Sequence, residues 1–523
     1  MSIYITLSLN TKLEHLTIRW GVARGKTRLR YPGFILFASR LLSLVTGLLF
    51  TILITRRITG EEFGIWGNIG DLLAYFTVLA GMIPFWSKRF YAREYYEAAK
   101  TGLVANLITS VIMMVVYLAL LPTLIQILRI EKTYAMLYMI ISLQLIETHV
   151  NYSLESILHV KRPQMIGYGL LIFEVCKIAV ALALVFELGL GLFGAICSVM
   201  VAHAIRIATY IPYVREELNC KVKWSYVKEW VKASLFNIYN VVGNRLAGLS
   251  PILLFIYAGE MSRAYLAASQ TISAIIGYST ALAFTLYPRL LSGGSPEDVA
   301  TSLEMTLMFA IPMAAGAIAI PDTYLTILKP IYVDAIHILR IQSLVALCYC
   351  VSSILITTVY GTEKLDEKAK IPIRKLVKSR MFKIATIPYI YALTALPTLY
   401  YTLTHVAKTP IESALYLVII NLIFGIAALT IRYKIAKKCI RIKIPWKKIA
   451  KYTTASTIMA ITLYILPHPT KIRYAIAATI LGAAIYFGIL YTIDKETRKL
   501  IKTAIKEAKS SLTSRMTPAT LKT

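Results

Sequence analysis

The sequence predicts an all-α, polytopic membrane protein of about fourteen transmembrane helices, arranged as two six-helix bundles followed by two further C-terminal helices. Three observations predict it. Hydrophobic residues make up 57% of the 523-residue chain and charged residues only 16%. Apolar runs of about 20 residues, long enough to cross a bilayer core as a helix, recur along the whole length. Mean hydropathy is +0.64, and the apolar share exceeds the roughly 45–50% of a soluble domain. The strict alternation of a membrane β-barrel is absent from the sequence.

Residues 1–32 read as a basic leader carrying Lys12, Arg19, Arg24, Lys26, Arg28 and Arg30. It lacks the apolar core and cleavage site of a secretory signal, and is expected to lie on the inner leaflet as a cytosolic helix. The N-terminal bundle, 33–213, has spans at 33–55, 63–85, 101–121, 134–158, 165–188 and 192–213. A basic cytosolic connector, 214–232, separates it from the C-terminal bundle, 233–431. That bundle has spans at 234–258, 264–286, 299–320, 332–360, 381–403 and 411–431. Region 432–494 holds a basic loop and two shorter apolar helices, 452–466 and 472–493, before a polar cytosolic tail, 495–523.

The net charge of +30 would suggest nucleic acid in a soluble protein. Here the positive-inside bias accounts for it, so no nucleic-acid partner is expected. Placing the N-terminus inside puts most of the 57 lysines and arginines on the cytosolic side, with the heaviest runs at 361–380, 432–451 and beyond Asp494. Both termini are therefore expected in the cytoplasm, and the chain in the plasma membrane. The outer connections are then all short, which excludes a large extracellular catalytic domain. Nucleotide-binding loops and the HExxH and GxSxG patterns are absent, so neither an enzyme nor a cofactor is expected. Six cysteines without a CxxC pair indicate neither a disulfide framework nor a metal site.

The two blocks repeat. Residues 40–50 and 245–255 both read R-L-x-x-L-x-x-x-L-L-F, and Gly60-Glu61 is echoed by Gly259-Glu260. Arg89 and Arg289 end the second helix of each block. An even number of helices per block gives both the same orientation, related by a pseudo-two-fold axis along the membrane normal.

The stretch ITRRITGEEFGIW, residues 54–66, breaks the apolar pattern at the expected outer turn between the first two spans. In Ile54, Arg56, Ile58, Gly60, Phe63 and Gly64 it resembles the motif of polysaccharide-biosynthesis flippases. These belong to the multidrug/oligosaccharidyl-lipid/polysaccharide exporter superfamily. The likeness in pattern extends over about the first twelve spans. The leader is longer than is usual there, and the last two helices are short. The resemblance implies alternating-access flipping of a polyprenyl- or dolichyl-(pyro)phosphate-linked oligosaccharide from the cytosolic to the outer leaflet. It also implies a monomer among membrane lipids, working beside glycan-assembly enzymes.

Charges at membrane depth cost at least ~2.5–3.5 kcal/mol and usually face a cavity or a partner. Arg40 and Arg245 are candidates for a phosphate-holding cavity, because a guanidinium cannot lose its proton and offers a planar fork of donors. A structural pair, such as Arg40 with Asp71, or snorkelling at the helix end is the competing account. Asn237, Asn240 and Asn244 share a helical stripe beside Arg245, and Gln270 follows in the next span; amides suit sugar hydroxyls but also tie helices together. Arg89 and Arg289 would sit at the cytosolic mouth. Arg56 and Arg57 are expected either to be anchored on Glu61 and Glu62 or to reach for a ligand, as an outer gate.

Gln144, Glu147, Asn151 and Glu155 share one face of the fourth span, and Glu174 and Lys177 lie at i, i+3 in the fifth. Asp71, Glu147, Glu174 and Lys177 could form a coupling network or a structural one. His203 and Arg206 lie toward the inner end of the sixth span. Two other functions compete with flipping. A multidrug or metabolite cation antiporter of the same superfamily would need acidic groups such as Asp71, Glu147 and Glu174 in its cleft. A membrane glycosyltransferase would need an acidic site on a sizeable outer loop.

Overall fold

The computed structural model describes residues 30–283, 286–291, 293–363, 378–468, 470–495 and 497–498, with a few side chains inside helices excepted. Most of the basic leader, the 364–377 part of the loop before the eleventh span, the tail from 499 and the side chain of Asn237 lie outside them. Among the described residues every regular element is helical. The chain divides into two compact units, Met1–Val242 and Gly243–Thr523.

Unit 1 begins with α1 (Arg30–Thr55) and α2 (Gly60–Phe76). The turn between them is closed by a capping box: Glu62 N donates to Thr59 Oγ1 at 3.1 Å, and Thr59 N donates to the Glu62 carboxylate at 2.8 Å. The expected span 63–85 is in fact α2 plus α3 (Met82–Tyr91), separated by a turn. Pro84, in the first turn of α3, lacks the N–H that a continuous helix would use. The third span is α4 (Glu97–Ile127), and the fourth splits into α5 (Lys132–Ile140) and α6 (Leu143–Lys161). Then come α7 (Gln164–Ala181), which ends in a π-helical turn at Leu182–Glu187, and α8 (Gly191–Leu218). The connector is an amphipathic helix, α9 (Trp224–Ala233), whose Trp230 is buried against Ile83, Ala98 and Ala105. Trp86 Nε1 also donates to Ser234 Oγ at 2.9 Å, tying the connector to α3.

The helix α10 (Leu235–Ala247) crosses the boundary between the units. In unit 2, α11 (Ser250–Gly277) joins the expected seventh and eighth spans. At Gly259 its backbone turns at φ +79° and ψ −177°, a conformation open to glycine and strained for other residues. A short α12 (Leu286–Leu291), α13 (Pro296–Ala319) and α14 (Pro321–Leu328) follow. Next come α15 (Ile336–Thr362), α16 (Arg380–Tyr401), α17 (Pro410–Lys437), α18 (Trp446–Ile465) and α19 (Ile472–Ile493). Among the described residues, eight helical segments are long and apolar enough to cross a membrane. The final one, α19, is among them; α18, with Lys447, Lys448 and Lys451 near its start, is not.

Equivalent helices pack in equivalent pairs. Within unit 1 the third span packs on the fourth, the fourth on the sixth and the fifth on the sixth (α4 on α6, α6 on α8, α7 on α8). Within unit 2 the same relations hold for α13 on α15, α15 on α17 and α16 on α17.

The last hairpin, α18–α19, is fastened within unit 2. Its face enters a core with Leu307, Met308 and Ile320, and Tyr486 OH donates to Met308 O at 2.6 Å. The loop residue His468 meets Asp322 through Nδ1 at 2.7 Å. At the other end Asp494 accepts from Lys451 at 2.8 Å and from Lys448 at 3.3 Å. An apolar cavity of about 240 Å³ remains between the hairpin, α11 and α13, lined by Ile276, Met313, Met459, Leu463 and Phe487 among others.

Candidate functional site

A column of polar side chains runs through unit 1 between α1, α6, α7 and α8. It is anchored by the pair that the i, i+3 spacing proposes: Lys177 Nζ lies 2.8 Å from Glu174 Oε2. Two hydroxyls from α1 complete the carboxylate, Ser43 Oγ donating to Oε1 at 2.6 Å and Thr46 Oγ1 to Oε2 at 2.8 Å. The ammonium stands 5.0 Å from the ring centroids of both Phe50 and Phe173. Glu174 is 4% and Lys177 8% exposed, so the pair is withdrawn from solvent with its hydrogen-bonding capacity largely met. A buried charge pair satisfied in this way ties α1 to α7.

The column continues into α8 and α6. His203 packs tilted on Phe173 at 4.5 Å between centroids, and its Nδ1 lies 3.4 Å from Asn151 Nδ2. One turn along, Arg206 pairs with Glu155 and donates through Nε to Tyr210 OH at 3.0 Å, while Tyr210 OH donates to Glu155 at 3.3 Å. Gly169 makes room for that arrangement, since a Cβ there would fall on the Tyr210 ring. Above Asn151, the Glu147 carboxyl keeps one oxygen, Oε2, shielded from solvent and without a hydrogen bond among the described residues. Glu147, Asn151 and Glu155 thus follow the face their spacing marks, and Glu174 pairs with Lys177 rather than across to α6. Among the described residues no group of acidic, His and Cys side chains is placed to hold a metal ion.

The remaining candidates are spread over both units. Arg40 is exposed on α1 and has no hydrogen bond, ion pair or ring contact among the described residues, so the alternative pairing with Asp71 is not formed. Asp71 itself is half-buried and otherwise engaged. In the turn, Arg57 lies 4.3 Å over the Phe186 ring, Glu62 is occupied in its capping box and Glu61 is exposed. Arg56 is exposed and otherwise engaged.

Asn240 and Arg245 are half-buried and Asn244 exposed on α10, all three engaged; Gln270 is half-buried on α11. Arg89 rests over Phe85 at 4.6 Å, whereas Arg289 pairs with Asp298 at 3.2 Å, so the repeated arginines have different surroundings. The sequence reading missed Ser43, Thr46 and Tyr210, although the first two lie three and six residues from Arg40 at helical spacing. It also missed Arg263, which is only 5% exposed within α11.

No described protein family matches the chain, and no curated protein does. Solved structures do match. The lipid II flippase MurJ, in an inward closed conformation, aligns with TM-score 0.60 at 14% identity, covering 90% of this chain and 100% of that one. An inward-facing multidrug resistance MATE family transporter of the MOP superfamily aligns with TM-score 0.57 at 14% identity, covering 76% of this chain and 95% of that one. A MATE in complex with MaL6 aligns with TM-score 0.50 at 14% identity, covering 77% and 95%. At such identity these likenesses establish the fold, that of a polytopic helical membrane protein built like the MOP-superfamily transporters.

Proposed function

We propose that the protein is a flippase that moves an anionic, lipid-linked oligosaccharide from the cytosolic to the outer leaflet of the cell membrane by alternating access, with both termini cytoplasmic. The observation that carries the reading is Arg40: a permanent cation on the first span, exposed, with no partner among the described residues. A guanidinium so placed holds a phosphate or pyrophosphate through paired N–H donors while the lipid tail stays in the bilayer. An inside-negative potential favours outward passage of an anion by about 2.3 kcal/mol per charge per 100 mV. The MurJ fold, whose solved representative is described as a lipid II flippase, is consistent with this class of cargo.

A cation antiporter would need available carboxylates. Glu174 is instead held by Lys177, Ser43 and Thr46, which leaves Glu147, with one carboxylate oxygen not hydrogen-bonded among the described residues, as the acid on which that alternative would rest. Arg40→Ala, expressed in a cell depleted of its own flippase, should leave lipid-linked glycan on the cytosolic leaflet with drug sensitivity unchanged, and Arg40→Lys should restore only part of the transport. Normal export by Arg40→Ala, or a change in drug resistance alone, refutes the proposal.

A further inference from the structure

A second cation differs from Arg40 in being built into a helix interface. Arg432 sits on α17, half-buried, beside Tyr360 and Tyr349 of α15. Its Nε–H is shielded from solvent and has no hydrogen-bond partner among the described residues. The helices around it hold almost no acid. Neither α15 nor α16 contains Asp or Glu; Glu363, just past the end of α15 and one turn from Tyr360, accepts from Arg380 N at 3.2 Å. The single acid of α11, which also packs on α17, is Glu260, and the single one on α17, Glu412, is 20 residues away in its first turn, about 30 Å by helical rise. The bases nearby are many: Lys434 and Lys437 on the same helix, then Lys438, Arg441 and Lys443.

Unit 1 offers an internal comparison. Arg206 also lies on the last helix of its six-helix block beside a tyrosine, but there Glu155 supplies the counter-charge. In unit 2 neither neighbouring tyrosine has a hydrogen bond to a carboxylate among the described residues. A shielded, unpaired donor on a permanent cation is costly, and an anion brought from outside removes that cost.

We infer that Arg432 with Tyr360 forms a binding site for a lipid phosphate. Arg432 lies five residues, about 7.5 Å, before the end of α17, and the basic residues follow it. That is the depth at which the phosphate of a lipid in the adjoining leaflet resides. The guanidinium provides a fork for two phosphate oxygens and the Tyr360 hydroxyl a further donor. The phosphate can come from an anionic phospholipid or from a phosphorylated isoprenoid. The site does not depend on the flippase reading, since a structural lipid would bind it in any transporter.

The test uses the full-length protein in nanodiscs of phosphatidylcholine. Phosphatidylglycerol is added in one arm, geranylgeranyl phosphate in another and inorganic phosphate in a third, with binding followed by native mass spectrometry and thermal unfolding. Wild type should bind and be stabilised in at least one lipid arm and be indifferent to inorganic phosphate; the arm that responds identifies the source. Arg432→Gln should weaken that binding about 10- to 100-fold, the loss expected for one charge-assisted contact. Should that variant fail to fold, Tyr360→Phe, which preserves packing, should weaken binding several-fold. Equal lipid binding by wild type and both variants overturns the inference, as does a lower unfolding temperature in Arg432→Gln with its lipid response intact.

Discussion

Replacing Lys177 by methionine should destabilise unit 1 far more than removing both members of its ion pair. The methionine keeps most of the volume between Phe50 and Phe173 but removes the cation 2.8 Å from Glu174. Glu174, 4% exposed, would retain only the hydroxyls of Ser43 and Thr46. Leaving one charge of a buried pair uncompensated costs about 3–5 kcal/mol. For a unit of 242 residues, with each kcal/mol worth about 2–4 °C, the unfolding midpoint should fall by about 6–20 °C. In the Glu174→Gln/Lys177→Met double variant no charge remains, and the amide oxygen that replaces the carboxylate can still accept from both hydroxyls. Its midpoint should return to within a few degrees of wild type. The assay is thermal unfolding in detergent, followed by tryptophan fluorescence and by the loss of monodisperse protein. A single variant within about 2 °C of wild type, or a double variant less stable than the single, would show that Lys177 does not offset the buried charge of Glu174.

Asp494 should make the last hairpin sensitive to acid. Burial alone would raise its carboxyl, but hydrogen bonds from Lys451, Thr497 and Lys448 outweigh it and hold the group well below the usual carboxylate range. The folded value lies below the unfolded one, so the stabilisation is complete above about pH 4 and is lost as pH falls through the folded value. Asp494→Asn should flatten the acid limb of a midpoint-against-pH curve. Gly169→Ala should displace the fully buried Tyr210 and cost about 1–3 kcal/mol, read as a lower unfolding midpoint. Gly259→Ala should cost about 1–3 kcal/mol through its backbone conformation alone, measurable by the same unfolding curve.

Hydropathy alone located most helices closely. The expected 472–493 span matches α19 from Ile472 to Ile493, and 165–188 nearly coincides with α7 and its π-helical turn. The breaks within the second and fourth spans were less legible, because Thr77–Gly81 and Ile141–Ser142 interrupt a helix without ending its hydrophobicity. The spacing of Glu174 and Lys177 made their pairing readable as one option. Ser43 and Thr46 could not be assigned to Glu174, since those contacts join residues 131 and 128 positions apart and depend on how α1 lies on α7. The turn at Glu61 and Glu62 was legible only in part. Four charges in a short stretch suggest ion pairs, but a local cap claims Glu62 and an aromatic ring claims Arg57, both through geometry that composition does not carry.

The fastenings of the final hairpin have a practical consequence. Since Tyr486 grips the backbone of Met308 and His468 grips Asp322, the hairpin is a passenger of unit 2 rather than a loose appendage. A spin label or fluorophore at Tyr464, which is 62% exposed, would therefore report the displacement of the entire C-terminal half. If the proposed alternating access operates, such a label lies far in sequence from Arg40 and would read the movement without altering the residue proposed to hold the phosphate.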